Sequence, residues 1–117
     1  MEIDLNLFSQ RSLHIFQSAL KFVSHMKHGF IGSEHLLWAL SQDAGTAGRV
    51  LRRNGMDPDL IKEYLHQYDL DARAAGEFRA VQISQEAEQV IHLAESRAKA
   101  QGHPNVEPED ILRGILD

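Results

Sequence analysis

The sequence of 117 residues contains no cysteine. Disulfides, thiol nucleophiles, iron–sulfur clusters and cysteine-bound zinc are therefore excluded. Basic residues are also few, with 12 Lys and Arg against 17 Asp and Glu, which gives a formal net charge of −5. This balance argues against nucleic acid as the main partner, because neutralising phosphates requires clustered cationic side chains.

Long apolar runs are absent as well, and a membrane span needs about 20 apolar residues. The first four residues, Met1 to Asp4, lack the basic region and apolar stretch of a signal peptide. We therefore expect a cytoplasmic protein with no membrane partner. No Gly-x-Ser-x-Gly, His-Glu-x-x-His or phosphate-binding P-loop motif occurs, so we expect neither catalysis nor a cofactor in this chain.

The dominant positive signal is helical periodicity, with apolar residues recurring three and four positions apart. Helices are predicted over residues 9–27, 33–40 and 46–54, from Pro58, over 84–102 and from Pro108. In the fourth helix, Ile61, Tyr64 and Leu65 are predicted to face inward, and Leu36, Leu37 and Trp38 are predicted to be core residues of the second. A weak strand pattern at Phe78–Ile83 is discounted, so the sequence predicts an all-α fold.

An internal repeat organises these helices. Shifting the chain by 75 positions places Ser9 on Ser84, His28 on His103 and Glu34 on Glu109 without a gap. The pattern predicts one domain over 1–117 with two helical repeats about a pseudo-twofold axis. Repeat one covers about residues 8–70, a linker about 71–82, and repeat two about 83–117. Repeat two has no counterpart of the third and fourth helices, so it is predicted to be truncated. The apolar surface left uncovered predicts a homo-oligomer.

The residues around the first matched loop resemble a known family. The segment His28–Leu37, with the sequence His-Gly-Phe-Ile-Gly-Ser-Glu-His-Leu-Leu, is similar to the His-x-x-Ile-Gly-Thr-Glu-His-Leu-Leu motif of the Clp N-terminal domain. The segment His103–Leu112 is a degenerate second copy, and Phe8-Ser9 resembles the Phe-Thr that begins the family's first helix. The resemblance covers about residues 8–117.

This resemblance implies a non-catalytic domain of a ClpC- or ClpA-type AAA+ unfoldase. Such domains receive substrate proteins or adaptors such as MecA or ClpS, and the ATPase rings pass the captured chain to a ClpP-type peptidase. ATP would then bind in other domains of the parent protein.

The resemblance also implies two phosphoarginine sites, one formed by Glu34 with Ser9 and the other by Glu109 with Ser84. A guanidinium favours carboxylate acceptors, and a phosphate favours the free amides at a helix N-terminus. Phosphoarginine carries both groups.

Other interpretations remain open. Glu34 and Glu109 could simply stabilise their own helices through the helix dipole, and the same surface could dock an adaptor. The chain could be a free-standing regulatory protein of this fold without an ATPase. A histidine-based metalloenzyme would need its imidazoles gathered, with His25, His28 and His35 as candidates. His28 and His103 are predicted instead to tie their loops to backbone groups. Three arginines, Arg49, Arg52 and Arg53, are predicted to form a solvated basic face.

Overall fold

The computed structural model describes residues 5–25, 30–73 and 82–116. Within these residues a short 3-10 helix at Leu5–Leu7 precedes six α-helices, and two strands of two residues each form a small parallel sheet. The helices are α1 Gln10–His25, α2 Ser33–Ser41, α3 Thr46–Arg53, α4 Pro58–Arg73, α5 Gln85–Ala100 and α6 Pro108–Leu116, and the strands are β1 Phe30–Ile31 and β2 Gln82–Ile83. The predicted all-α fold is confirmed.

Local sequence signals account for the ends of these helices. The Ser84 hydroxyl oxygen caps α5 by accepting a 3.1 Å hydrogen bond from the Ala87 amide. Helices α3 and α5 are followed by Gly55 and Gly102, whose φ angles of +83° and +72° lie in the left-handed region that favours glycine. The helix boundaries predicted from these residues therefore agree closely with the structure.

The two repeats exchange equivalent contacts. Ile31 of β1 pairs with Ile83 of β2, and Phe8 forms an isolated parallel bridge with Val106. A shift of 75 positions converts one pair into the other, because Phe8 matches Ile83 and Ile31 matches Val106. The predicted pseudo-twofold relation is confirmed by these paired contacts.

One main core joins the repeats, and a smaller one lies under α4. Leu36 and Ile111, which occupy matched positions on α2 and α6, are both fully buried in the main core. The smaller cluster contains Phe22, Ile61 and Leu65, with Leu37 and Trp38 packed partly buried against it. Tyr64 was predicted to face inward but is 55% exposed, because α4 packs on Phe22 through Ile61 and Leu65.

Two predictions about the connection between the repeats need correction. Residues 71–73 of the predicted linker are the last turn of α4, and Gln82 and Ile83 belong to β2. The discounted strand pattern thus contains a real strand, whose partner is the distant β1. Two residues are too few for alternation to show, and a pairing between distant segments leaves no local signal. Residues 74–81 lie outside the described residues, and the exact domain boundaries stay a prediction.

Repeat two presents a different outer face from repeat one. The positions that match Phe22 and Trp38 under α4 are Arg97 on α5 and Arg113 on α6. Along this face runs an open groove of about 320 Å³, which Leu112 and Leu116 also line. The sequence-based prediction of a homo-oligomer stays untested. In the described part of the chain, no helix is long and apolar enough to cross a membrane.

Candidate functional site

The start of α1 lies against the loop that precedes α6. The Ser9 amide donates a 3.0 Å hydrogen bond to the Val106 carbonyl, and the Ser12 hydroxyl donates a buried bond of 2.7 Å to the same oxygen. The Ser9 hydroxyl oxygen accepts a 3.2 Å bond from the Ser12 amide and so caps α1. We call the surface formed by Ser9, Arg11 and Glu109 the α1/α6 junction.

The start of α5 meets the loop before α2 in the equivalent way. The Ser84 amide donates a 3.0 Å hydrogen bond to the Ile31 carbonyl. We call the matching surface, formed by Ser84, Glu86 and Glu34, the α2/α5 junction. At each junction two helix N-termini lie side by side. Some of their first-turn amides are already paired: those of Ser12 and Ala87 donate to the serine caps, and those of His35 and Asp110 donate to the carbonyls of Gly32 and Glu107.

These contacts correct the predicted pairing of the site residues. The resemblance placed Glu34 with Ser9 and Glu109 with Ser84, both within one repeat. The backbone bonds instead set Ser9 beside the loop that leads to Glu109, and Ser84 beside the loop that leads to Glu34. The shift in the sequence identifies equivalent residues, whereas the pseudo-twofold packing decides that each helix start meets the loop of the other repeat.

At the start of α2, Glu34 has a half-exposed side chain, 49% accessible. Its carboxylate lies 3.6 Å from Nδ1 of the buried His35 and folds over Gly32. The Gly32 amide donates a 2.8 Å hydrogen bond to the same His35 nitrogen. Because a protonated imidazole has no free acceptor nitrogen, this cap requires the neutral ring.

At the start of α6, Asp110 has the capping role that His35 has in α2. Its Oδ2 accepts a 2.9 Å hydrogen bond from the Glu107 amide and lies 2.8 Å from His103 Nδ1. His103 thus ties its loop to the Asp110 side chain, and its own amide donates to the Ala98 carbonyl at 2.8 Å. The matched His28 lies outside the described residues. The Glu109 side chain is 37% accessible, so it is free to meet a ligand.

Arg11 is the residue that sequence reasoning missed. Its Nη2 donates to both oxygens of the largely buried Asp43, at 2.9 and 3.1 Å, and its Nη1 lies 4.0 Å from Glu109. The hydrogen bond to Asp43 raises the pKa of Arg11, and the charges of Asp43, Glu109 and Glu107 act in the same direction. The sequence did contain a signal for Arg11. The shift of 75 positions matches it to Glu86, so the charge is reversed between the repeats.

The predicted basic face on α3 is only partly a solvated surface. Arg52 donates from Nη1 to the carbonyls of Ser41 and Asp43, at 2.6 and 3.0 Å. It therefore satisfies carbonyl groups at and beyond the end of α2, where a cation is favoured by the helix dipole.

The metal hypothesis finds no cluster in the part of the chain that the structure describes, where no group of three potential His, Asp or Glu ligands comes together. Of its three candidates, His25 is exposed at the end of α1, His35 is buried at the start of α2, and His28 lies outside the described residues. Nδ1 of His35 already accepts a hydrogen bond from the Gly32 amide.

Known proteins share both the sequence and the fold. The chaperone protein ClpC of pea chloroplasts is 27% identical over 112 residues, and the Bacillus subtilis negative regulator of genetic competence ClpC/MecB is 26% identical over 110. Each match covers 93% of this chain but only 12% and 13% of those relatives. The N-terminal domain of the chaperone ClpD from Arabidopsis thaliana superposes with a TM-score of 0.75 at 16% identity, covering 98% of this chain and 79% of that structure.

The family described as the Clp repeat (R) N-terminal domain matches residues 7–117. This match spans both repeats, both junctions and the two loops that carry the repeated His and Glu. The chain therefore belongs to the Clp repeat N-terminal domain family.

Proposed function

We propose that this chain is a non-catalytic recognition domain of a Clp-type AAA+ unfoldase, which captures substrate or adaptor proteins and holds them near the ATPase pore. Tethering a captured chain raises its local concentration at the pore without any new contact there. The ATP-binding domains and the ClpP-type peptidase belong to the rest of the proposed assembly, and the domain itself needs no cofactor. The sequence predicts the cytoplasm as its compartment.

The observation that supports this proposal is the presence of two accessible carboxylates at paired helix starts. Glu34 and Glu109 each begin a helix that lies beside a serine-capped helix start of the other repeat. A carboxylate suits a guanidinium, and paired helix N-termini suit a phosphate. The ligand we propose is therefore a phosphoarginine side chain on a substrate protein, with Ser9, Glu34, Ser84 and Glu109 as the candidate residues.

A calorimetric titration with free phosphoarginine tests this function. Phosphoserine and unmodified arginine serve as matched ligands, because each carries only one of the two groups. We expect phosphoarginine alone to bind the wild type, and the double variant Glu34→Ala/Glu109→Ala to lose binding. Wild-type protein that binds none of the three would refute phosphoarginine recognition and leave direct adaptor docking as the proposed role of this surface.

The alternative of a free-standing regulator differs only in what surrounds the domain. The curated relatives are about eight times longer than the matched region, since the match spans 12% and 13% of their lengths. A P-loop further along the same reading frame would support the unfoldase, and a frame that encodes this domain alone would support the regulator.

A further inference from the structure

We infer that the two junctions have diverged, so that only the α1/α6 junction accepts phosphoarginine, with Arg11 as the residue that selects for the phosphate. This inference rests on the proposed function and assigns it to one of two matched surfaces. It starts from the reversal of charge between Arg11 and Glu86, which occupy the same position in the two repeats.

The α1/α6 junction carries both signs of charge in reach of one ligand. Arg11 is 49% accessible, and the nearly buried Asp43 fixes one of its amino groups at 2.9 Å. Its other amino group points towards Glu109, at 4.0 Å, which is longer than a hydrogen bond. That Nη1 group can therefore donate to a ligand phosphate without releasing Asp43, which leaves the Arg11 side chain ordered before binding.

The carboxylates of this junction suit the other half of the ligand. Glu109 and Glu107 both lie near enough to act on the charge of Arg11. The guanidinium of the ligand would pair with these carboxylates, and the phosphate of the ligand would pair with Arg11. Each charged group of the ligand would then lie beside a group of opposite charge. The phosphoserine side chain offers no guanidinium to these carboxylates, and unmodified arginine offers no phosphate to Arg11.

The α2/α5 junction has the opposite character. Its two matched positions hold Glu34 and Glu86, so a phosphate approaching the start of α5 meets acidic side chains from both repeats. No Lys or Arg belongs to the first turn of α2 or α5. A carboxylate next to a phosphate opposes binding through like-charge repulsion, and the serine cap of α5 cannot offset it.

The surroundings of the junctions also differ in room for a polypeptide. Glu109 lines the open groove of about 320 Å³ together with Val50 and Leu116. In repeat one the corresponding face of α1 and α2 is covered by α4, whose Ile61 and Leu65 pack on Phe22. Residues flanking a phosphorylated arginine can therefore lie along the groove only at the α1/α6 junction.

Exchanging the two charges tests the inference. Phosphoarginine is titrated by calorimetry into wild type, Arg11→Glu and Glu86→Arg. Glu88→Arg is the control, because it makes the same change of charge on α5 two positions after the matched site. We expect one ligand per wild-type chain, at least about tenfold weaker binding in Arg11→Glu because a charge-assisted bond is lost, and two ligands per chain in Glu86→Arg alone. Circular dichroism checks that each variant is folded.

Single carboxylate variants complete the test. Glu109→Ala should remove the wild-type binding, whereas Glu88→Ala, which removes a carboxylate of α5 outside both junctions, should leave it unchanged. Two ligands per wild-type chain, or full binding in Arg11→Glu, would overturn the assignment while keeping phosphoarginine recognition. If neither wild type nor Glu86→Arg binds, the proposed function itself fails.

Discussion

Helices α2 and α6 occupy equivalent places in the two repeats, but their outer faces meet different surroundings. The outer face of α2 is covered by α4, so Leu37 and Trp38 pack against a second small core. In α6 the residue matched to Trp38 is Arg113, which lines an open groove instead. The two helices thus have equivalent backbone positions but different outer faces. That of α2 is suited to packing within the chain, and that of α6 is suited to contact with another molecule.

The N-termini of these helices also combine equivalent backbone positions with chemically different side chains. His35 and Asp110 each accept a hydrogen bond from the amide three residues earlier, so an imidazole and a carboxylate perform one structural task. Arg11 and Glu86 share a position but carry opposite charges. At a capping position, chemically different side chains can accept the same backbone hydrogen bond. At the exposed position beside each site, a different side chain can change which ligand is preferred.

The largest expected effect tests whether α2 is buried more deeply than α6. Leu40 is completely buried, whereas the matched Ile115 is only partly buried. We expect Leu40→Ala to lower the free energy of unfolding by about 3 kcal/mol, because it removes buried methyl groups and leaves a cavity. Ile115→Ala should cost about half as much, because less of its apolar area is removed from water. Urea denaturation of both variants measures the difference, and equal losses would show that the two helices are packed alike.

A second prediction concerns how closely the backbones of α5 and α6 approach each other. A methyl group at Gly114 of α6 would lie 2.6 Å from the Val90 carbonyl oxygen of α5, while the matched residue of α2 is Ala39. Because that oxygen belongs to the backbone, Gly114→Ala should destabilise the domain by about 2 kcal/mol.

Ala39→Gly is the reciprocal variant, with an expected loss of about 1 kcal/mol from helix propensity. Thermal unfolding followed by circular dichroism measures both. A stabilising effect of Gly114→Ala would mean that α5 and α6 are not in close backbone contact.

The smallest predicted effect tests the cap of α6. Asp110→Ala removes the acceptor of the Glu107 amide and the partner of His103, and should cost about 1 kcal/mol. Asp110→Asn keeps an acceptor oxygen and should cost less. Chemical denaturation separates the two variants. If Asn is as damaging as Ala, the negative charge and not the hydrogen bond holds the loop.

The sequence predicted most of the local structure correctly, because helix ends carry their signals in neighbouring residues. Ser84 and Gly102 bracket α5 as expected, since a cap and a left-handed glycine act within one turn. The errors concern features without a local signal. The strand at Gln82–Ile83 depends on a partner about fifty residues away. Tyr64 is exposed because α4 packs on Phe22, a residue of the distant α1, through Ile61 and Leu65.

The sequence identified most residues of the candidate site but not how they are arranged. Glu34 and Glu109 stood out through the repeat, and the structure places both at accessible helix starts. Arg11 did not stand out, because its salt bridge to Asp43 joins α1 to the connection between α2 and α3, 32 positions further along the chain. Pattern matching between repeats highlights what they share, so it gave least weight to the position at which they differ.

By itself the sequence determined the all-α character, the helix ends and the twofold repeat, because periodicity, caps and glycines act over a few residues. Only the tertiary structure decided which loop meets which helix start, since the twofold packing sets Ser9 beside the Glu109 loop and Ser84 beside the Glu34 loop. It also decided that Arg11 lies between Asp43 and Glu109. Those relations depend on distances between segments far apart in the chain, which no local pattern encodes.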